Sequence, residues 1–376
     1  MTPIPPADLR RVLLTADPIG GVWPFALELT AALSASGVEV ILAVMGGRVG
    51  SAQRRAAELA GAVALHEAPW RLEWMTDPWE DVRAAGEWLL DLERYTEPDI
   101  VHLNQLAFGA LPWHAPPVVT VHSCVLSWWR AVHRTDAPAE WMPYRRTVEA
   151  SLRAVPLVLA PSAAMLRDAE RLYGPFRSAH VIPNARDGRN FAPGRKEELI
   201  LAAGRCWDEA KNLTALARMA PSLPWPVYVA GDTAHPDGDR RPLPTVHALG
   251  ALPPRQLAWW LGRAAVFVHP ARYEPFGLAV LEAALSECAL VLGDIESLRE
   301  LWQGAALFVD PLDLDHLRRT LRRVALDAEF RRALAAAARR HASRFGPRQF
   351  GAAHLAAYRL ALARGAGLEE ETAACA

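Results

Sequence analysis

His269-Pro270-Ala271-Arg272-Tyr273-Glu274-Pro275-Phe276-Gly277-Leu278-Ala279-Val280-Leu281-Glu282 is the stretch whose reading decides the fold. Ahead of it, Ala264 to Val268 is an apolar run of strand length. Pro275 and Gly277 break the chain after Glu274. Leu278, Leu281, Ala284 and Leu285 then recur at core-facing helical spacing. The order is strand, carboxylate-bearing loop, helix N-terminus. Free N–H groups and the positive end of the helix dipole at such a terminus favour a bound anion. Glu282 falls about one turn inside the helix among apolar neighbours. Alone it reads as a solvated residue beside a core helix. With Glu274 eight residues earlier across the turn, the pair reads as ligand-facing, and carboxylates accept from sugar or ribose hydroxyls.

Outward from this stretch the same rhythm repeats. In the second half, Leu199–Ala203, Pro226–Ala230, Val246–Gly250, Leu290–Gly293 and Ala306–Val309 read as strands. Helices are expected over Asn212–Ala220, Pro254–Gly262, Glu296–Leu301, Asp315–Asp327 and Glu329–Phe345. In the first half, Arg10–Ala16, Val38–Val44, Asp99–Leu103, Val118–Val121 and Leu157–Ala160 are strands. Trp23–Ser34, Pro78–Tyr95 and the segment from Ala163 to Tyr173 are helices. Strands alternating with helices predict parallel sheets. Residues 185–198, with glycines, a proline and mixed charge, form the linker candidate. Gly346-Pro347 ends the second half. A last helix is expected over Gln349–Ala363, then an acidic, small-residue tail without structure from Gly365.

The chain has 376 residues, 51% of them hydrophobic, enough for two cores. A net charge of −1 points away from nucleic acid as a partner. Cys124, Cys206, Cys288 and Cys375 are scattered, which fits neither a disulfide framework nor a zinc site but does fit a reducing cytoplasm. No signal pattern or bilayer-length apolar run is present. Gly20-Gly21 does not make the dinucleotide fingerprint. Lys196 and Lys211 are the only lysines among many arginines, a hint of point-charge roles.

Several residues fall where open α/β sheets gather ligands, past the carboxyl ends of strands. Asn104 and His122 do so in the first half; His122 fits a satisfied structural histidine equally well. Gly204-Arg205 with Lys211-Asn212 does so in the second. Arg205 suits a phosphate fork and Lys211 a point charge, so together they read as an anion grip. Asp237-Gly238-Asp239 and Asp313-Leu314-Asp315 have a metal-holding form, but structural roles are favoured and no metal is assigned. His66, His114, His180, His235, His247, His316 and His341 show no evident partner. Residues 127–153 carry Trp128, Trp129, Trp141 and five arginines. A solvated arginine face is favoured there over an acceptor or membrane-surface patch.

These motifs resemble a family. Gly-Arg…Lys-Asn and Arg-Tyr-Glu-Pro-Phe-Gly-Leu with Glu eight residues on are similar to the retaining glycosyltransferases of family 4, the bacterial glycosyl transferases group 1. The likeness runs from Val181-Ile182-Pro183-Asn184 to Val309-Asp310-Pro311, and more loosely through Gly20-Gly21, Asp99-Ile100-Val101-His102, Val121-His122-Ser123 and Ala160-Pro161-Ser162. It implies the GT-B fold: two Rossmann-like domains facing across a deep cleft, with the C-terminal helix crossing back to the first. The domains would be 1–185 with 347–364 on the acceptor side and 186–346 on the nucleotide-sugar side, leaving 365–376 as the tail.

The resemblance further implies transfer of a sugar, commonly a hexose, from a nucleoside diphosphate sugar to an acceptor hydroxyl with retention, in polysaccharide or glycoconjugate biosynthesis. Arg205 and Lys211 would hold the diphosphate and Glu282 the ribose. Glu274 would contact the donor sugar, and the backbone of Phe276, Gly277 and Leu278 would hold sugar hydroxyls or phosphate. Gly20 and Gly21 would let the first loop approach the donor, and His122 would lie beside the transferred sugar. Catalytic work would fall to Glu274, His122, Arg205 and Lys211, with no cofactor and no metal. The acceptor would be a glycan, a lipid-linked group or a small molecule. The setting would be cytoplasmic, with weak peripheral contact at the inner membrane face. Two other readings share these motifs: a non-catalytic nucleotide-sugar or glycan binder, and a nucleotide-sugar epimerase of the same fold. One departure is Ser286-Glu287-Cys288, where relatives have a small-Cys-Gly turn.

Overall fold

The computed structural model describes residues 9–233 and 242–374. His235 and Asp237-Gly238-Asp239 lie outside the described residues. The chain divides into two units, one of residues 1–127, 136–184 and 347–376, the other of residues 128–135 and 185–346.

The first unit holds a parallel sheet of β1 (Arg11–Ala16), β2 (Glu39–Val44), β3 (Ala62–Glu67), β4 (Ile100–Leu103), β5 (Pro117–Thr120), β6 (Leu157–Ala160) and β7 (Ala179–Val181). Their spatial order is β3-β2-β1-β4-β5-β6-β7. Strands covered on both faces need continuous apolar runs, and β1, β2, β4 and β6 supply them with almost every residue buried. The order reverses between β1 and β4. In an open α/β sheet that is where two loops diverge and leave a hollow. The helix Val22–Ser34 follows the Gly20-Gly21 loop, in which Gly20 has φ +80°, a left-handed value that glycine adopts without strain.

The second unit repeats the plan with β8 (Glu197–Ala203), β9 (Val227–Ala230), β10 (His247–Gly250), β11 (Ala264–His269), β12 (Ala289–Gly293) and β13 (Leu307–Val309). All pairings are parallel, in the order β10-β9-β8-β11-β12-β13, reversing between β8 and β11. Leu201, Phe267, Leu281, Leu290 and Trp302 pack one face of this sheet, and Ile200, Val266, Val291, Leu321 and Val324 the other.

The C-terminal helix spans Pro347–Ala374, with its helical backbone continuing through the segment where an unstructured tail is expected. It packs on the helix Val22–Ser34, where Ala32 leaves no room for a side chain at Gly351: a Cβ there would lie 2.8 Å from the Ala32 Cβ. Three histidines expected to lack partners have them, His66 meeting the Tyr95 ring edge-on. His341 lies 2.6 Å from the Leu301 carbonyl, and His247 stacks on Tyr228. Asp313 caps the helix Leu314–Leu326 by accepting from the His316 N–H at 2.8 Å, the structural role favoured for it. No helix among the described residues is long and apolar enough to cross a membrane.

Candidate active site

The reversal between β8 and β11 gathers the charged residues of the second unit. β8 ends at Ala203, and Gly204 turns the chain into the loop carrying Arg205 and Asp208 and a short 3-10 turn that ends at Lys211. β11 ends at His269, and its loop carries Glu274. The loops are tied by backbone, with Arg272 N–H donating to Ala210 O at 2.8 Å. Asn212, in left-handed conformation at φ 55°, donates its amide to Pro270 O and Pro311 O at 3.0 and 2.7 Å. Asn is the non-glycine residue that tolerates this conformation best, so the loops meet without strain.

Glu274 is the centre of the cluster. Its Oε2 lies 2.8 Å from Lys211 Nζ and 2.9 Å from His269 Nε2. Its backbone carbonyl accepts from Ser297 Oγ at 2.5 Å. Oε1 has no protein partner among the described residues. One oxygen is clamped and the other is left to accept. Burial pushes the Glu274 carboxyl up, but the Lys211 ammonium and His269 outweigh it and hold the group well below the usual carboxylate range.

Beside it, Gly277 has φ +87° and begins the helix Leu278–Leu285. A Cβ at Gly277 would stand 3.0 Å from Val280 Cγ2, so both conformation and space select glycine. The Leu281 N–H bonds Gly277 O at 3.1 Å, so the N–H groups of Leu278 and Ala279 precede the helix's own i→i−4 ladder. Phe276 is buried in the core, edge-on to Phe345, so only its backbone is offered to a ligand.

Arg205 donates Nη2 to Asp208 Oδ2 at 2.8 Å and lies over the Trp207 ring. Asp208 is nearly buried and also accepts from the Ala210 N–H and from Trp128 Nε1, each at 3.0 Å. Burial raises the Asp208 carboxyl, but Lys211 and Arg205 prevail and bring it below its usual value. Glu282 is buried further along the helix, its Oε1 2.8 Å from Arg186 Nε, with the side chains 9% and 13% exposed. Lys196 serves the backbone: its Nζ donates to Leu261 O and Ser286 O, at or near the ends of two helices. Lys211, Glu274, Arg205, Phe276, Gly277 and Leu278 therefore share one pair of loops and one helix start.

Gly20, Gly21 and His122 belong to the first unit. Gly20 and Gly21 are exposed just past β1. His122, partly buried past β5, places its Nε2 2.8 Å from Asn104 Oδ1, and its ring meets Phe25 edge-on at 4.4 Å. Beneath it is a buried cluster. His102 Nδ1 is 2.6 Å from the Tyr358 hydroxyl and its Nε2 2.7 Å from Thr120 Oγ1. His354 stacks on His102 and turns Nδ1 toward Phe350 O. Burial, reinforced by His354, pulls His122 down to about 3; burial, partly opposed by the bond to Phe350 O, pulls His354 to about 4.

Sequence reasoning missed His269, Asp208, Ser297 and Arg186 as members of this cluster. His269 and Asp208 carried a signal, since each sits next to or near a strand end that was already singled out. Arg186 and Ser297 carried none, since only the fold brings them to Glu282 and Glu274.

Residues 19–188 match the family model described as Glycosyltransferase Family 4, and residues 197–327 match the model described as Glycosyl transferases group 1. A stretch of 70 residues is 37% identical to O-antigen chain mannosyltransferase B of Escherichia coli; it covers 19% of this chain and 18% of that relative, so less than a fifth of the relative's length is matched. Among solved structures, the chain is similar to a sucrose-phosphate synthase of Thermosynechococcus elongatus, with TM-score 0.73 and 17% identity over 97% of this chain and 100% of that one. It is similar to a glycosyltransferase of Rickettsia africae, with TM-score 0.70 and 15% identity over 94% and 99%. It is also similar to the Anabaena protein HepE, solved in complex with UDP and glucose, with TM-score 0.72 and 16% identity over 93% and 99%. At these identities the structural likenesses speak for the fold.

Proposed function

We propose, for a chain that belongs to the glycosyltransferases of family 4 and group 1 and carries the GT-B fold, that it moves a sugar from a nucleoside diphosphate donor to an acceptor hydroxyl with retention of anomeric configuration. The observation that carries this reading is the clamp on Glu274. Lys211 and His269 hold one carboxylate oxygen and leave the other open beside the start of the helix Leu278–Leu285. A free carboxylate oxygen accepts from a sugar hydroxyl. The Lys211 ammonium, the Arg205 guanidinium and the N–H groups of Leu278 and Ala279 suit the charge that grows on a leaving diphosphate.

Departure of a diphosphate from an anomeric carbon builds negative charge on the bridging oxygen. Fixed cations and oriented N–H groups stabilise that charge more than they stabilise the intact donor. In the retaining course, the leaving phosphate takes the acceptor hydroxyl's proton on the face where the new bond forms. The chain's own groups then position and neutralise. Glu274 holds the sugar, Glu282 the ribose, and Gly20, Gly21 and His122 serve the donor from the first unit. Because Lys211 and Arg205 supply positive charge, transfer is expected to persist in a chelator. We place the reaction in polysaccharide or glycoconjugate assembly in the cytoplasm, with a glycan, lipid-linked or small-molecule acceptor.

The experiment is a thermal-shift screen of UDP-, GDP- and ADP-sugars, followed by donor binding and transfer in Lys211→Ala and Glu282→Ala. A stabilising donor, with transfer lost in the first variant and donor affinity lowered in the second, supports the reading. Wild-type affinity and turnover in both variants overturn it. Donor binding without transfer to any acceptor identifies a binding protein, and release of an epimerised donor identifies an epimerase. The anomeric coupling of the product, read by NMR, decides retention.

A further inference from the structure

In the first unit, Thr15, Asn104 and His122 stand at or just past the carboxyl ends of β1, β4 and β5, where the strand order reverses. Thr15 holds Asn104 at two points. Its Oγ1 accepts the Asn104 backbone N–H at 2.9 Å, and its carbonyl accepts the Asn104 side-chain Nδ2–H at 2.6 Å. A carbonyl has no proton to give, so the amide nitrogen, not the amide oxygen, must face Thr15 O. That decides which way the amide points. Asn104 Oδ1 faces His122 Nε2 at 2.8 Å and can only accept. The proton of the neutral ring therefore sits on Nε2. Nδ1 is left with a bare lone pair, and no described residue donates to it.

The surroundings keep the ring neutral. Thr15 is fully buried and Asn104 is 6% exposed. Phe25 lies edge-on to the imidazole, and the same Phe25 ring also meets two further buried histidines, His102 and His354. Among the described residues, no carboxylate pairs with His122 to favour a second proton. An imidazole so held differs from an imidazolium in what it can recognise. Nδ1 accepts from a hydroxyl and repels an anionic oxygen, whereas an imidazolium would do the reverse.

We propose that Asn104 is a positioning residue that fixes His122 as its Nε2–H tautomer, so that Nδ1 offers a hydrogen-bond acceptor to a hydroxyl of a neutral sugar and discriminates against a uronate carboxylate. The ligand half of this statement rests on the donor reading above. The tautomer half stands on the hydrogen bonds alone.

The test begins without ligand. Long-range proton–nitrogen correlation spectra of the full chain, labelled with nitrogen-15 at histidine, should show His122 protonated at Nε2 and bare at Nδ1, unchanged between about pH 8 and pH 5. Asn104→Asp keeps an acceptor but adds a charge that favours the imidazolium, so His122 should begin to titrate inside that window. Asn104→Leu removes the acceptor and should give mixed tautomers. An Asn104 that only braces the fold would lower stability in both variants and leave the His122 signals in place. A wild-type Nδ1–H tautomer, titration of wild-type His122 inside the window, or signals unmoved in both variants overturns the tautomer half.

UDP-, GDP- and ADP-glucose and UDP-glucuronate are then added in turn. A neutral donor that binds should shift the Nδ1 signal, and glucuronate should bind more weakly to the wild type than to Asn104→Asp. A bound neutral donor that leaves Nδ1 unmoved overturns the ligand half. No binding by any of these donors overturns the donor reading instead, with the tautomer already decided by the ligand-free spectra.

Discussion

Lys211 Nζ and His269 Nε2 converge on one oxygen of Glu274, at 2.8 and 2.9 Å, although the three residues come from two separate loops. The lysine sets the charge state and the histidine completes the geometry. Replacing Lys211 by Ala leaves a carboxylate with a side chain 14% exposed and only His269 beside it. We expect a stability loss of about 2 kcal/mol, below the roughly 3–5 kcal/mol of a broken buried pair because His269 remains as a partner. Urea unfolding of the two proteins at neutral pH measures it.

The same clamp gives a pH signature. Glu274 is held below its ordinary value of 4.5, so its stabilisation is fully present above that value. As pH falls below about 4.5, the unfolded chain takes up a proton that the native carboxylate still refuses, and the stabilisation is lost. The stability gap between wild type and Glu274→Gln, measured by denaturant titration, should therefore be constant from pH 7 to about pH 5 and close below about pH 4.

Arg186 and Glu282 make a second buried pair, 2.8 Å apart. Glu282→Ala should cost about 3–5 kcal/mol, because it removes the carboxylate from a buried pair whose guanidinium is 13% exposed. Arg186→Met together with Glu282→Gln should recover much of that loss, since it removes both charges. Donor affinity should fall in Glu282→Ala and stay low in the double variant. Unfolding midpoints read the first effect and donor titration the second. A double variant less stable than either single one would show that the pair is not the coupling element.

The parts legible in the sequence are those that short-range pattern encodes. Apolar runs such as Arg11–Ala16 and Ala264–His269 must be strands buried on both faces, and the order of strands and helices fixed two parallel sheets. Glu274, Gly277 and Lys211 could be singled out because each follows a strand end. The pairings could not. Arg186 reaches Glu282 across 96 positions, and Tyr358 reaches His102 across 256. Nothing in local spacing carries those contacts; they exist only once helices fold onto sheets. The segment beyond Gly365 reads as unstructured from its small and acidic residues, yet alanines and glutamates are good helix formers and the helix that begins at Pro347 runs on to Ala374.

The histidines under the first sheet predict acid lability. His102 is pulled well below 6.5 and His354 to about 4, both by burial. Each binds a proton in the unfolded chain before it does in the native one, so each withdraws stability as pH falls below about 6.5. The slope is about 1.4 kcal/mol per pH unit for each such group. Because His354 and Tyr358 lie on the C-terminal helix and His102 on β4, the loss falls on the docking of that helix. Denaturation midpoints should drop steeply from pH 7 to pH 5 in the wild type and less steeply in His354→Leu, and hydrogen exchange should find the C-terminal helix opening first.

Glu287 sits just past the helix Leu278–Leu285 with φ +62°, in the left-handed region that glycine adopts most readily. A Cβ in that conformation crowds the following carbonyl, at roughly 1–2 kcal/mol. The turn nevertheless closes: Glu287 N–H reaches Ala284 O at 3.0 Å, and Cys288 N–H reaches Ala283 O at 3.0 Å. What the glutamate gains is an ion pair with Arg339 at 3.2 Å, between side chains 40% and 48% exposed. Exposed pairs of that kind are worth only a few tenths of a kcal/mol. The strain outweighs the pair. Glu287→Gly should therefore raise stability by about 0.5 kcal/mol once glycine's extra freedom in the unfolded chain is counted. Thermal unfolding of the variant measures it, with Glu287→Ala as the control: that change loses the ion pair and keeps the strain, so it should be neutral or slightly destabilising. A Glu287→Gly protein less stable than Glu287→Ala would show that the left-handed turn carries no strain here.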